Sequence, residues 1–367
     1  MSFVSECHGN EKIKLSNRIA PDASDEYLQF LQQMGMDCCY AWVNAQQANY
    51  EFLSRLKERT AKYGLRLFNI GSVELAKPEE VHLGLDGRDE ILEKFNGFLE
   101  VLGKVGVPTT TITWEPNYVF ATTPEGHILI NGSPEAVSNK YRKTTDTFYF
   151  APGGNYYRVS TRGGAMTRLV DMSVIDAAPT SHGMIVNKDQ RFDNFAYFTK
   201  AVIPTAESAK VRICLHPNDP PADSCMGLAT LISSHRDYER AFEIANSDYL
   251  GMELCCGCWL EGGEEHFGNI YDSIRQFVKQ GKVSIVHFRN VSGPLPKFTE
   301  TFIDDGYANM YKIMKCFVES GYNGTMIYDH VPATVPEAGP CASAAYAVGY
   351  MKGVLQAAET EVLGKRD

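Results

Sequence analysis

Four polar residues that can bind a divalent metal ion each follow a short apolar run. They are His216, Cys255, His287 and Asp329, and the intervals between them are 39, 32 and 42 residues. Imidazole, thiolate and carboxylate groups together suit a transition metal such as Mn, Fe, Co or Zn. Each residue alone could be an ordinary buried hydrogen-bonding group. Four of them at equivalent places in a repeating pattern predict a metal site.

Three further residues are candidates to contact an anionic or sugar-like ligand. Arg289 stands two residues beyond His287, and Arg88 opens a predicted helix, so either guanidinium could bind a carboxylate. Arg289 is the stronger candidate because it lies beside a predicted metal ligand. Trp114 ends a predicted strand, where its indole ring could stack on a sugar or pack in the core.

Short β-branched or aromatic runs alternate along the chain with longer amphipathic segments. Several runs are almost continuously apolar, which is typical of parallel strands that are buried on both faces. The predicted strands are 12–17, 37–43, 66–72, 108–114, 211–216, 251–256, 283–288 and 324–329. The predicted helices are 25–34, 45–63, 88–105, 192–209, 229–245, 267–280, 309–320 and 342–358.

Eight strand–helix units predict an α/β protein with a (β/α)8 TIM barrel, in which the C-terminal strand ends converge on the active site. That geometry would bring the four metal-binding candidates together. An open, doubly wound sheet is the alternative, but no Gly-x-Gly-x-x-Gly motif follows a strand. We expect one domain over 1–367, with a hairpin-rich insertion at about 119–191 after the fourth strand, where Gly/Pro-rich turns separate alternating segments.

Composition limits the partners of the chain. The 367 residues carry 35 Lys and Arg against 45 Asp and Glu, a net charge of −10, which argues against nucleic acid or an anionic membrane as the main partner. The N-terminus shows no signal peptide and no run is long enough to span a membrane, so we expect a cytoplasmic protein. Its ten cysteines are then expected to be reduced thiols.

Several motifs together resemble those of mannonate dehydratases, and they occur in the family's order. His216-Pro-Asn-Asp-Pro-Pro is similar to the family's His-Pro-Asp-Asp-Pro-Pro, and Leu254-Cys-Cys-Gly to its Leu-Cys-Thr-Gly. His287-Phe-Arg-Asn-Val resembles His-x-Arg-Asn-Val, and Asp329-His330 resembles Asp-His. The chain is therefore identified as a divergent member of this family, which belongs to the xylose-isomerase-like barrels.

The resemblance implies one bound Mn²⁺, with His216, Cys255, His287 and Asp329 as its ligands. It also implies His330 as a catalytic proton-transfer residue, Arg289 as a catalytic group near the substrate and Asn290 as a substrate contact. The implied reaction removes water from a sugar acid such as D-mannonate and gives a 2-keto-3-deoxy acid. A base within hydrogen-bond reach of the C2 proton and a charge-stabilising metal fit that need.

Two family features have no match in the sequence, and they keep other functions open. The family has a tyrosine-containing stretch after its Asp-His motif, whereas residues 338–343 read Ala-Gly-Pro-Cys-Ala-Ser. The family's N-terminal Arg-Trp-Tyr-Gly is also not found. The alternatives are a metal-dependent sugar or sugar-acid isomerase or epimerase, and a catalytically inactive sugar-acid binder. The oligomer expected in each case is a homodimer.

Overall fold

A computed structural model describes residues 12–115, 119–130, 148–150 and 157–364. Eight parallel strands, numbered in chain order, form a closed barrel in which every strand pairs with its neighbours in sequence and β8 pairs with β1. The strands are β1 Lys14–Ile19, β2 Cys38–Val43, β3 Arg66–Ser72, β4 Thr109–Thr113, β5 Arg212–His216, β6 Leu250–Cys255, β7 Val283–His287 and β8 Thr325–Ile327. The predicted TIM barrel is therefore confirmed.

One long helix follows each strand and packs on the outside of the barrel. The helices are α1 Asp25–Gln33, α2 Tyr50–Ala61, α3 Arg88–Val105, α4 Lys188–Ala209, α5 His235–Ala245, α6 Ile270–Lys279, α7 Met310–Glu319 and α8 Ala342–Leu363. Asn49, Asn187 and Ser234 begin α2, α4 and α5 because their side chains accept backbone N–H groups of the first turn. The Asn49 cap explains why α2 begins later than its predicted residue 45.

Three additional α-helices interrupt this regular pattern in the described part of the chain. The helix Cys256–Phe267 follows β6 without a loop and was not predicted, because its sequence is rich in cysteine and glycine. Glu79–Leu83 precedes α3, and Met172–Asp176 precedes α4.

The barrel interior is filled in two levels. Below the mouth, Cys38, Phe68, Cys214 and Ile285 form a small apolar cluster of buried side chains. Above that cluster the inward-facing side chains become polar. The larger apolar core lies between the strands and the surrounding helices. The small cluster, the apolar floor of the barrel, therefore lies beneath any site at the C-terminal strand ends.

The region after β4 contributes short strands to a second, five-stranded sheet. Four of them lie in the predicted insertion, namely Val119–Thr122, Ile128–Ile130, Phe148–Phe150 and Leu169–Asp171, and Lys297–Thr299 joins from the loop after β7. Parts of the predicted insertion, 116–118, 131–147 and 151–156, lie outside the described residues. Its assignment to a single 1–367 domain stays a prediction.

The nine cysteines that the structure describes are free thiols. Among the described residues, no helix is both long enough and apolar enough to cross a membrane.

Candidate metal centre and its cavity

A cavity of about 320 Å³ lies at the C-terminal end of the barrel. This volume is at the small end of the range for ligand pockets, so it suits a small molecule. Its wall includes three of the four predicted ligands, and His330 beside them. The residues lining it are Arg18, Tyr40, Trp42, Asn69, Val73, Ala76, Lys77, Thr111, Thr113, Glu115, His216, Asp219, Glu253, His287, Asp329 and His330.

The structure brings the predicted metal ligands together. Donor atoms of Cys255, His287 and Asp329 lie within 4.8 Å of one another, and His216 lies within the same distance of Cys255. The rings of His216 and His287 are 5.0 Å apart, centre to centre. Nδ1 of His216 lies 2.7 Å from the carbonyl oxygen of Pro217, to which it can donate, and this leaves Nε2 available as a ligand atom. Cys258, which was not predicted, also lies near His216 and Cys255.

Asp329 is held at the end of β8 in an unusual backbone conformation. Its φ of 61° is in the left-handed region, which non-glycine residues rarely adopt and which tends to persist at functional sites. One carboxylate oxygen, Oδ1, lies 3.2 Å from Nδ1 of His287, and Oδ2 lies 2.8 Å from Nε of Arg289. The backbone strain therefore places this carboxylate between a predicted ligand and a buried cation.

The donor set fits a divalent transition metal. Both ring nitrogens of His287 face carboxylates, since Nδ1 lies 3.2 Å from Oδ1 of Asp329 and Nε2 contacts Glu253. Two side chains that each bind one ion at about 2.0–2.3 Å also lie close to each other, so this spacing suits a pair of metal ligands. Burial raises the pKa of the Cys255 thiol, but the contacts with Cys258 and Arg289 outweigh it, so the pKa lies well below its usual value. Cysteine binds a metal ion as the thiolate, so this lowered pKa suits a metal ligand.

The position of Cys255 at a helix start contributes to this environment. Its Sγ accepts the backbone N–H of Cys258 at 3.4 Å, in the first turn of the helix Cys256–Phe267. The positive end of a helix dipole favours a thiolate. Cys256, by contrast, points into the apolar core, as expected from the alternation of an extended chain.

Arg289 is fully buried behind the metal centre and does not line the cavity. Its guanidinium donates to Glu261 at 2.6 Å, to Glu300 at 2.8 Å and to Asp219 at 3.1 Å, besides its contact with Asp329. With its donors engaged by protein carboxylates, it is not available to a substrate. These contacts favour positioning of Asp329 and Cys255 by Arg289, and its expected catalytic role near the substrate stays a prediction.

The insertion supplies a second buried cation to the same network. Arg168 pairs with Asp219 at 2.6 Å and with Glu300 at 3.0 Å. Burial raises the pKa of Asp219, but Arg168 and Arg289 outweigh it and keep the carboxyl ionised. Burial raises the pKa of Glu261 well above its usual value, and Arg289 opposes this shift. The insertion is thus connected to the metal centre through ion pairs.

His330 lies on the cavity wall with 42% of its side chain exposed. Its Nδ1 lies 2.9 Å from Oε1 of Glu300, and its Nε2 lies 3.4 Å from Oδ1 of Asp329. Burial lowers the pKa of His330, but the two carboxylates Asp329 and Glu300 outweigh it and raise the pKa. The contact with Glu300 therefore fixes Nδ1 of His330 and turns Nε2 toward Asp329.

The three expected substrate contacts lie away from the cavity. Trp114 is buried against His82, Phe195 and Phe198, so the structure assigns it to the core and not to sugar stacking. Arg88 stacks on the ring of Tyr197, 3.7 Å from its centre.

Asn290 is also a structural residue. Its amide donates to the carbonyl oxygens of Ile303 and Ala308 at 3.0 Å each and so holds the loop that follows β7. None of the three expected substrate contacts forms part of the cavity wall.

Sequence reasoning missed several groups that do line the cavity. Arg18 lies near the end of β1, Tyr40 and Trp42 lie on β2, and Glu253 lies on β6. Glu253 contacts Nε2 of His287. The signal for Glu253 was available, since it stands two residues before Cys255 and therefore on the same face of an otherwise apolar strand.

Comparison with known proteins identifies the family. The profile of the D-mannonate dehydratase (UxuA) family matches residues 41–363. The chain belongs to this family. Among curated relatives, the mannonate dehydratase of Thermotoga neapolitana is 29% identical over 297 residues, which cover 76% of this chain and 77% of that protein. The Lactococcus lactis mannonate dehydratase is 26% identical over 292 residues, with the same coverage.

Solved structures show the same fold across almost the whole chain. The mannonate dehydratase from Streptococcus suis serotype 2 aligns over 97% of both chains with a TM-score of 0.74 and 20% identity. An L-ribulose 3-epimerase aligns over 96% of this chain and 99% of its own, with a TM-score of 0.55 and 12% identity. The D-mannonate dehydratase family thus shares its barrel with sugar epimerases.

Proposed function

We propose that this chain is a hydro-lyase that removes water from a sugar acid, D-mannonate or a close relative, to give a 2-keto-3-deoxy acid. The observation that carries the proposal is the close approach of the donor atoms of Cys255, His287 and Asp329, within 4.8 Å of one another. His287, Asp329 and His330 line one small cavity beside them. Membership of the D-mannonate dehydratase family supports it.

His216, Cys255, His287 and Asp329 would hold one Mn²⁺ ion in this proposal. When bound, the ion would stabilise negative charge that develops beside the substrate carboxylate. The preference for Mn²⁺ over other divalent transition metals follows from the family resemblance. The chain's own contribution is a set of ligands fixed in place by Arg289, Glu253 and the Pro217 carbonyl.

His330 would take the proton from C2 of the substrate. It is the histidine on the cavity wall that is not among the four predicted ligands. Its Nδ1 is engaged by Glu300, so the other ring nitrogen is the one that can reach a substrate atom. A general base must lie within hydrogen-bond reach of its proton, and this geometry permits it.

Arg18 would bind the substrate carboxylate, the role that the sequence suggested for Arg289 and Arg88. Within the described residues, no carboxylate pairs with its guanidinium, and the side chain is exposed at the cavity. The other cation on the wall, Lys77, already pairs with Glu115 at 2.5 Å. A guanidinium can hold a carboxylate through two parallel hydrogen bonds, which would fix the orientation of C2.

An isomerase or epimerase is the second candidate. The specific observation in its favour is that residues 338–343 provide no tyrosine where the family has one. Such an enzyme would use the same base and metal but return the proton without expelling the hydroxyl.

Product mass separates these functions directly. The metal-loaded protein would be incubated with a panel of hexonates and the corresponding sugars, and the products would be measured by mass spectrometry. A product lighter by one water supports dehydration, and an isomer of unchanged mass contradicts it. Sugar-acid binding without turnover would support the inactive binder. Asp329→Asn, which removes a predicted ligand charge, serves as the inactive control.

The homodimer and the cytoplasmic location also remain proposals. The described free thiols are consistent with a reducing compartment. Light scattering of the purified chain would test the dimer.

A further inference from the structure

Tyr40 has an unusual position among the groups that line the cavity. On β2 the side chains of Cys38, Tyr40 and Trp42 alternate with buried residues and share the inward face. Cys38 belongs to the apolar floor of the barrel, whereas Tyr40 and Trp42 form part of the cavity wall. A register irregularity after Cys39 pairs Tyr40 with Asn69, which also lines the cavity. The strand therefore presents a phenol just above the floor.

Most ionisable groups on this wall already have a protein partner. The pairs are Lys77 with Glu115, Asp219 with Arg168, Glu253 with His287, Asp329 with Arg289, and His330 with Glu300. The phenol of Tyr40 makes no hydrogen bond to any residue that the structure describes. This half-buried hydroxyl is therefore free to form a hydrogen bond with a ligand that replaces water in the cavity.

The surroundings of Tyr40 favour the protonated phenol. Burial raises the pKa of Tyr40, and the nearby charges of His287 and Arg18 only partly oppose this. At neutral pH the phenol is therefore protonated and can donate a hydrogen bond. The cavity thus contains a base candidate, His330, and a separate donor on the opposite side of β1.

We propose that Tyr40 is a further catalytic residue, which donates its phenolic proton to the hydroxyl that leaves C3. This inference rests on the proposed dehydration. His330 takes the C2 proton, the released electron pair forms the C2–C3 double bond, and the C3–O bond breaks. The leaving oxygen accepts the proton of Tyr40 and departs as water. The phenolate then regains a proton from solvent and His330 releases the C2 proton to solvent, so both groups return to their starting states. The enol product becomes the 2-keto acid by moving its hydroxyl proton to C3.

The experiment compares two leaving groups in Tyr40→Phe and in the wild type. One substrate is the sugar acid, and the other is its 3-deoxy-3-fluoro analogue, whose fluoride can leave without accepting a proton. We expect Tyr40→Phe to bind metal normally, to lose about 10²–10⁴-fold in kcat on the sugar acid, and to stay near wild type on the fluoro analogue. His330→Asn should be slow on both substrates, because C2 deprotonation is common to them.

Tyr346→Phe is the matched control, since its phenol lies outside the cavity wall and contacts Arg162. It should behave as the wild type on both substrates.

The acid role is overturned if Tyr40→Phe keeps dehydration within about threefold of wild type, a difference well below one factor of ten. It is also overturned if the fluoro analogue and the sugar acid slow equally in the metal-loaded variant. Failure of the proposed function would be seen in the wild type instead, which would then remove water from no sugar acid. In that case the proposed role of Tyr40 would also be wrong.

Discussion

The two halves of the barrel contribute to the cavity in different ways. Strands β5 to β8 end in the predicted metal ligands, and each of these is in contact with another polar group of the protein. Strands β1 and β2 contribute Arg18 and Tyr40, whose side chains have no hydrogen-bond partner among the described residues. The C-terminal half therefore carries the residues proposed to hold a metal, and the N-terminal half carries the groups proposed to bind the substrate.

The difference also has an electrostatic side. The cations Arg168 and Arg289 are buried behind the metal centre among the carboxylates of Asp219, Glu261 and Glu300. Removing one member of such a buried network leaves an uncompensated charge and is costly. Arg18, on the exposed side, can be changed at much lower cost to stability. Variants of the two halves should therefore fail in different ways.

The largest effect is expected at His330, which adjoins the metal-binding half. His330→Asn should lower turnover by about 10²–10⁴-fold, since the proton-transfer group is lost while the four predicted ligands remain. The measurements are steady-state kinetics and metal content. Full activity, or loss of the metal, would contradict the assigned role.

The next effect is expected at Arg18. Arg18→Gln removes a charged hydrogen bond to the substrate carboxylate, worth about 1.5–3 kcal/mol, which corresponds to a rise in KM of about 10–150-fold. Metal affinity and melting temperature should stay unchanged. Arg18→Lys keeps the charge but not the paired donors, and we expect it to recover only part of the binding. An unchanged KM in Arg18→Gln would show that the carboxylate binds elsewhere.

A similar or smaller effect is expected at Arg289, and it should appear in the metal affinity and not in KM. Arg289→Lys cannot reach Asp329 and three other carboxylates at once, so metal affinity should fall by about 10–100-fold, as for other residues that orient metal ligands. Metal titration measures this change. If KM for the sugar acid rose while metal affinity stayed constant, the residue would be a substrate contact after all.

The smallest effect is expected at Arg88, which stacks on Tyr197 away from the cavity. Arg88→Ala should leave kcat and KM within about twofold of wild type, as for surface substitutions in general. A large rise in KM would restore the carboxylate-binding role that the sequence suggested.

The strands of the C-terminal half could be located well from the sequence because their apolar runs carry a strong signal. Apolar runs located β5 to β8 to within a few residues, and polar side chains at their ends were conspicuous. The N-terminal half was harder. The first strand was predicted to stop at residue 17, but it continues to Ile19, so Arg18 was not recognised as a strand-end residue. Tyr40 lies inside an apolar-looking strand, where an aromatic residue predicts core packing.

Roles that depend on tertiary contacts could not be predicted at all. Arg289 stands in the right motif, but only the fold shows that Glu261, Glu300 and Asp219 surround it. Trp114 ends its strand at the cavity level, yet its ring turns outward against Phe195 and Phe198 of α4. In both cases the neighbours come from segments far away in sequence, and their arrangement decides which way a side chain points.

The most direct test of the metal-binding half is X-ray absorption spectroscopy of the metal-loaded protein, with Cys255→Ser and Cys258→Ser as paired variants. The account predicts one sulfur ligand at about 2.3 Å together with nitrogen and oxygen ligands at about 2.0–2.2 Å. Cys255→Ser should remove the sulfur contribution, and Cys258→Ser should leave it in place. A spectrum without sulfur, or one that changes only in Cys258→Ser, would contradict the proposed ligand set.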